Sequence, residues 1–146
     1  NQNLSSWTNL SQVTDMESLF RDCIAFKGDV SNWDVSRVTS MANMFQNAIL
    51  FNGDISSWDV SRVEEMISMF KDSASFNQDV SGWNVTSVRR MDQMFYGASL
   101  FNQSLCAWDL ERDEVSVGTA RIVDLTSCPR TSFGVLPDES RCHPCS

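Results

Sequence analysis

Tryptophan recurs every 25 residues along this chain, at Trp33, Trp58, Trp83 and Trp108. Around each one the same apolar positions return in the same order, and this repetition limits the fold more than any other property of the sequence. Phe26, Phe51, Phe76 and Phe101 open the units, and Leu4, Val30, Ile55, Val80 and Leu105 precede each Trp by three. Valine or leucine follows at Leu10, Val35, Val60, Val85 and Leu110, then Val13, Val38, Val63 and Val88. Met16, Met41, Met66 and Met91 come next, then Leu19, Met44, Met69 and Met94, and finally Phe20, Phe45, Phe70 and Phe95. Trp7 stands one residue out of step, because Thr8 and Asn9 replace a single residue. A unit this short cannot bury its own apolar face, so units must stack, each covering the next.

Two periodicities divide the unit. In Ile55-Ser-Ser-Trp58-Asp-Val60, Trp58 and Val60 alternate with Ser57, Asp59 and Ser61, the pattern of a short strand. From Val63 through Met66, Met69 and Phe70 the spacing becomes three, three and one, which predicts a two-turn helix with one apolar face. Ser61 with Glu64 fits a capping box, and Ser11, Ser36 and Thr86 hold the same N-cap slot. The polar stretch from Ala74 through Asp79 is the return turn. The expected fold class is therefore an α/β solenoid, leucine-rich-repeat-like, a right-handed stack of short parallel strands and short helices. Residues 1–110 form the array of about four and a half repeats, and 111–146 an irregular C-terminal cap or linker.

The unit Phe51-Asn-Gly-Asp-Ile-Ser-Ser-Trp58-Asp-Val-Ser-Arg-Val63-Glu-Glu-Met66-Ile-Ser-Met69-Phe70 resembles the repeat of the BspA-type leucine-rich-repeat surface proteins. That repeat was first catalogued in mycoplasma surface lipoproteins and appears in secreted or surface proteins of bacteria and microbial eukaryotes. The resemblance implies a parallel-strand solenoid and a role in adhesion or protein recognition at a cell surface. It carries over no binding residues. The chain departs from the pattern at Asn1, which has no Phe before it, at the Thr8-Asn9 insertion, and from residue 111 onward.

Stacking sets equivalent side chains in rows about 4.8 Å apart. Outside the core, Asp34, Asp59, Asn84 and Asp109 make one row, with Ser36, Ser61 and Thr86 beside it. This is the candidate recognition face, for a protein or a surface glycan. Carboxylates about 5 Å apart repel by roughly 0.8 kcal/mol even at the dielectric of water, so calcium is a candidate auxiliary cation, although Asn84 interrupts the acidic row. The competing reading is a solvated face that keeps the array soluble. A second row, Asp29, Asp54 and Asp79 with Asn52, Asn77 and Asn102, is expected to serve the return turn. The Met and Trp rows are core.

Five cysteines divide unequally. Cys23 fills the slot of Ala48, Ser73 and Ala98 and is expected to be a buried free thiol. Cys106, Cys128, Cys142 and Cys145 are the candidate disulfide cysteines; they allow three pairings and favour an oxidising compartment. Cys142-His143-Pro144-Cys145 is alternatively half of a zinc site or a redox pair, but no second such pair follows and His143 is the sole histidine. N-glycosylation sequons stand at Asn3, Asn9, Asn84 and Asn102.

The net charge of −8 repels polyanions and argues against a nucleic-acid partner. No apolar run approaches the roughly 20 residues that cross a bilayer. The chain starts at Asn1 with neither an initiator Met nor a signal peptide, as a fragment or a mature form would. No phosphate-binding loop or nucleophile elbow is present, so no enzyme and no cofactor is expected. The expectation is a non-enzymatic, extracellular or cell-surface recognition module, with a ligand-free structural spacer as the alternative.

Overall fold

The computed structural model describes Leu4, Trp7, residues 10–105, Ala107 and Trp108. Successive units lie one against the next in parallel, with isolated bridges joining Asp15 to Ser40, Ser40 to Glu65 and Glu65 to Arg90. Equivalent residues therefore meet at an offset of 25, and each unit forms one layer.

The segment expected to be helical carries this pairing. In the third layer the amides of Met66, Ser68, Phe70 and Asp72 donate across to the carbonyls of Arg90, Asp92, Met94 and Tyr96, at 2.7 to 2.8 Å. Between them, Met69, Lys71 and Ser73 donate back three residues within their own layer, to Met66, Ser68 and Phe70. A helix needs an unbroken run of bonds to the fourth preceding carbonyl. Here every second amide leaves the layer, and the chain runs through linked turns. No α-helix and no named strand occurs among the described residues.

Left-handed residues make this geometry possible. Positive φ recurs at Ser18, Asn43, Ser68 and Gln93, and again four residues later at Asp22, Asn47, Asp72 and Gly97. A left-handed residue at every fourth position breaks any right-handed helix. The expected capping boxes therefore have no helix to cap.

The half expected to be a strand keeps its alternation, with Trp58 and Val60 buried and Asp59 exposed. Its backbone, however, forms local turns, such as Trp58 N–H to Ile55 and Val63 N–H to Val60. Side chains tie it to the layer before. The indole Nε1 of Trp58, Trp83 and Trp108 donates to the carbonyls of Val30, Ile55 and Val80 at 3.0 to 3.1 Å. Ser57 and Ser87 hydroxyls reach back in the same way, to Ser31 and Ser61.

Two phenylalanine columns run through the core. Phe20, Phe45, Phe70 and Phe95 stack at 5.4 to 5.6 Å between layers, and Phe26, Phe51, Phe76 and Phe101 at 5.6 to 6.1 Å. Within a layer the two columns touch, with Phe45 and Phe51 centroids 4.0 Å apart and their planes within 5°. Offset stacking of this kind adds about 0.5–1.5 kcal/mol per pair beyond the area buried. The methionine columns from Met41 and Met44 onward, and the tryptophans from Trp33 onward, are buried as expected.

Cys23 is not buried. Its counterparts Ala48, Ser73 and Ala98 are sealed inside, whereas the Cys23 thiol is exposed. The reason is directional. Side chains in this slot face the preceding layer, as the bond from the Ser73 hydroxyl to the Phe45 carbonyl shows, and Cys23 belongs to the first described layer.

Candidate functional site

Asp34, Asp59 and Asn84 stand exposed at the same place on three consecutive layers, with Ser36, Ser61 and Thr86 two residues on. Each acidic or amide side chain folds onto its own turn. Asp34 Oδ1 accepts from the Ser36 amide at 3.1 Å and from its hydroxyl at 2.7 Å. Asn84 Oδ1 accepts from the Thr86 amide and hydroxyl at 3.2 and 2.7 Å, and Asp59 accepts from the Ser61 amide at 3.1 Å. The hydroxyls expected to cap helices thus serve these turns. Asp109, the fourth member of the row, lies outside the described residues.

These bonds set the charge state. Hydrogen bonds from the Ser36 hydroxyl and amide hold Asp34 below the ordinary carboxylate value of 3.8, and those from Ser61 do the same for Asp59. Asp34 pushes the other way on Asp59, without prevailing. The row is ionised at neutral pH, but in each residue one oxygen is already committed internally. Among the described residues, no group of three or more His, Cys, Asp or Glu side chains is placed to hold a metal ion.

The second row behaves as a turn scaffold. Asp29, Asp54 and Asp79 accept from the amides of Ser31, Ser56 and Ser81 at 2.9 to 3.0 Å. Asn52, Asn77 and Asn102 link layers, because the Asn77 amide donates to Asn52 Oδ1 at 2.9 Å and the Asn102 amide to Asn77 Oδ1 at 2.8 Å. Gln78 and Gln103 clasp the same Asn side chains from the next layer.

An apolar corner was not read from the sequence. Ile24 (55% exposed) and Ile49 (38%) occupy the same position on neighbouring layers, and Leu50 (41%) follows Ile49. Leu50 donates its amide to the Ile24 carbonyl at 3.2 Å, which fixes the two side by side, and Leu100 repeats the exposure two layers further on. Ala25, Ala74, Ser75 and Ser99 fill the other slots, so the position has no constant residue type to advertise it.

Cys106, Cys128, Cys142 and Cys145, and the sequons at Asn3 and Asn9, lie outside the described residues, whereas Asn84 and Asn102 are exposed. No described helix is long and apolar enough to cross a membrane.

No curated protein and no solved structure matches the chain. Residues 14–118 match the family model described as "Mycoplasma protein of unknown function, DUF285", a span that takes in every layer described above from Thr14 onward. With that match covering most of its length, the chain belongs to the DUF285 family.

Proposed function

We propose that this chain is a non-enzymatic recognition module of a surface or secreted protein, a solenoid whose layers present a fixed contact surface to another protein. The observation that carries the reading is the apolar corner. Exposed large aliphatics on adjacent layers, Ile24, Ile49 and Leu50, give a rigid patch of the kind that marks protein contact surfaces. The row of Asp34, Asp59 and Asn84 supplies a polar, negatively charged surface elsewhere along the array. The repeat's resemblance to BspA-type surface proteins supports a location outside the cell, with Cys106, Cys128, Cys142 and Cys145 as disulfide cysteines.

A structural spacer without its own ligand is the second reading. It is favoured by the Asp-Ser row, in which Oδ1 of each residue is committed to its own turn. Capture of partners from cell-surface extracts separates the two readings, using the intact chain, Ile49→Asp with Leu50→Asp, and Asp34→Asn with Asp59→Asn. Asn84 already holds its turn with an amide in this slot, so the Asp→Asn pair removes charge while keeping the local structure. A specific partner lost with the Ile49 and Leu50 changes supports recognition at the corner, and one lost with the Asp changes moves the site to the acidic row. A spacer captures nothing in any form.

A further inference from the structure

One layer departs from its neighbours along the exposed row. Where the second and third layers read Asp34-Val35-Ser36 and Asp59-Val60-Ser61, the fourth reads Asn84-Val85-Thr86. Two replacements coincide there, an amide for the carboxylate and threonine for serine two residues on. Together they turn the sequence into an acceptor triplet for an N-linked glycan, Asn-x-Thr with x other than proline.

The local geometry presents this amide outward. Asn84 Oδ1 accepts from the Thr86 amide at 3.2 Å and from its hydroxyl at 2.7 Å. A backbone amide can only donate, so the atom that faces it is the carbonyl oxygen, and Nδ2 takes the other side of the side-chain plane. Asn84 is exposed, and its Nδ2 makes no hydrogen bond among the described residues.

Space beside it is open. Gly82 and Asn84 flank the buried Trp83, so they emerge on one face. The slot of Gly82 holds Asn32 and Ser57 in the two preceding layers, and a Cβ added at Gly82 meets no atom within 4 Å. The layer that gains the amide is thus the one that lacks a side chain next to it, which leaves room for a first sugar. Asn102, the other described residue that opens such a triplet, stands in a column that links layers: Asn52 and Asn77 hold the amides of Asn77 and Asn102. In the column of Asn84 the oxygens bond within their own turns, so stacking does not depend on them.

We propose that Asn84 carries an N-linked glycan. The inference rests on the surface or secreted reading, because transfer requires export past an oligosaccharyltransferase and its lipid-linked oligosaccharide pyrophosphate. Nδ2 attacks the anomeric carbon of the first sugar, and the bond from that carbon to the pyrophosphate oxygen breaks. Nδ2 gives up one proton to a base of the transferase, and the lipid pyrophosphate leaves. A bulky, hydrated group at this point covers the neighbouring part of the acidic row and withdraws it from protein contact.

Mass spectrometry of the full chain recovered from its own cells tests this. Trypsin releases residues 72–89, in which Asn84 opens the sole acceptor triplet. The expected result is a peptide carrying sugar mass that peptide N-glycosidase removes, leaving aspartate in place of the asparagine. Asn84→Asp, which restores the residue type of Asp34 and Asp59, loses the sugar and keeps the fold by circular dichroism. Thr86→Ala loses the sugar although the asparagine remains. A bare Asn84 in protein recovered from the cell surface or the medium overturns the inference and leaves the surface reading intact, whereas a bare Asn84 in protein confined to the cytosol overturns both. Sugar that resists the glycosidase, or that persists in Thr86→Ala, overturns it as well. The unaltered chain decides the matter even if neither variant folds.

Discussion

The indole Nε1 of Trp58 donates to the carbonyl oxygen of Val30, one layer back, at 3.0 Å in a buried setting. Trp33 has the equivalent place, but its Nε1 is buried without a partner among the described residues. The Thr8-Asn9 insertion lengthens the first unit by one residue, and the indole bond is missing where that register shift falls. The two tryptophans therefore form an internal control. Trp58→Phe should destabilise the chain by about 1 kcal/mol more than Trp33→Phe, since it alone removes a buried hydrogen bond, the Val30 carbonyl keeping only the Trp33 amide at 3.1 Å. Urea unfolding checks this, and equal losses would show that the indole acts by volume alone.

Asn77 holds two layers at once, donating its amide to Asn52 and accepting from Asn102 and Gln103. Asn77→Ala removes the shared acceptor and should cost about 1–2 kcal/mol in thermal or urea unfolding. Asn77→Asp keeps the acceptor oxygen and should lose distinctly less. If both variants lose the same amount, the amide column contributes nothing through its acceptor.

Gly97 adopts φ 73°, in a column where Asp22, Asn47 and Asp72 are also left-handed. The Asn47 Nδ2 donates to Asp22 Oδ1 at 3.0 Å. At Gly97 a new Cβ would meet the Asp72 carboxylate, whose flexible end can turn aside. Gly97→Asn should therefore change stability by less than about 1 kcal/mol, because the narrower unfolded ensemble is offset by positive φ and by the Asp72 Cα lying 3.3 Å from the new Cβ. Gly97→Val should lower the melting temperature, because a β-branched residue resists positive φ. A Gly97→Asn loss larger than about 1 kcal/mol would show that Asp72 cannot yield.

Hydrogen bonds from Ser31, Ser36, Ser56, Ser61 and Ser81 lower the pKa values of Asp29, Asp34, Asp54, Asp59 and Asp79 beneath 3.8. A carboxylate depressed in the folded state contributes stability that is fully present above its unfolded pKa and vanishes as pH falls through the folded one. Stability should therefore be flat in this respect from neutrality to about pH 5, then fall as pH drops below about 4. Changing Ser36, Ser61 and Ser81 together to Ala should flatten that acid limb in pH-dependent urea titrations, and an unaltered slope would mean that the turns do not govern it.

Much of this molecule was legible because its core is written as columns. Trp33, Met41, Phe45 and Phe51 with their repeats announce burial through apolar type alone, and that signal survives whatever backbone carries it. The local backbone was misread at Val63–Phe70, because apolar spacings of three and one suit linked turns as well as a helix. The discriminating signal lay in the polar columns. Asn43 with Asn47, and Asp72 with Gly97, put residue types that tolerate left-handed backbone four apart, inside what looked like a helix. Ser68 and Gln93 diluted it. Cys23 was misjudged for another reason: its slot is buried only when a layer precedes it, and no residue type encodes that. Asp34, Asp59 and Asn84 are exposed, but their commitment to Ser36, Ser61 and Thr86 is a matter of geometry that spacing does not reveal.

The backward lean of the side chains makes the two ends unequal under trimming. Shortening the array from its carboxyl end leaves exposed amides, which water satisfies readily. Shortening it from the amino end uncovers the rings and thioethers of whichever unit comes next. Nested truncations of equal size should thus differ in solubility according to the side cut, with amino-terminal deletions the first to precipitate.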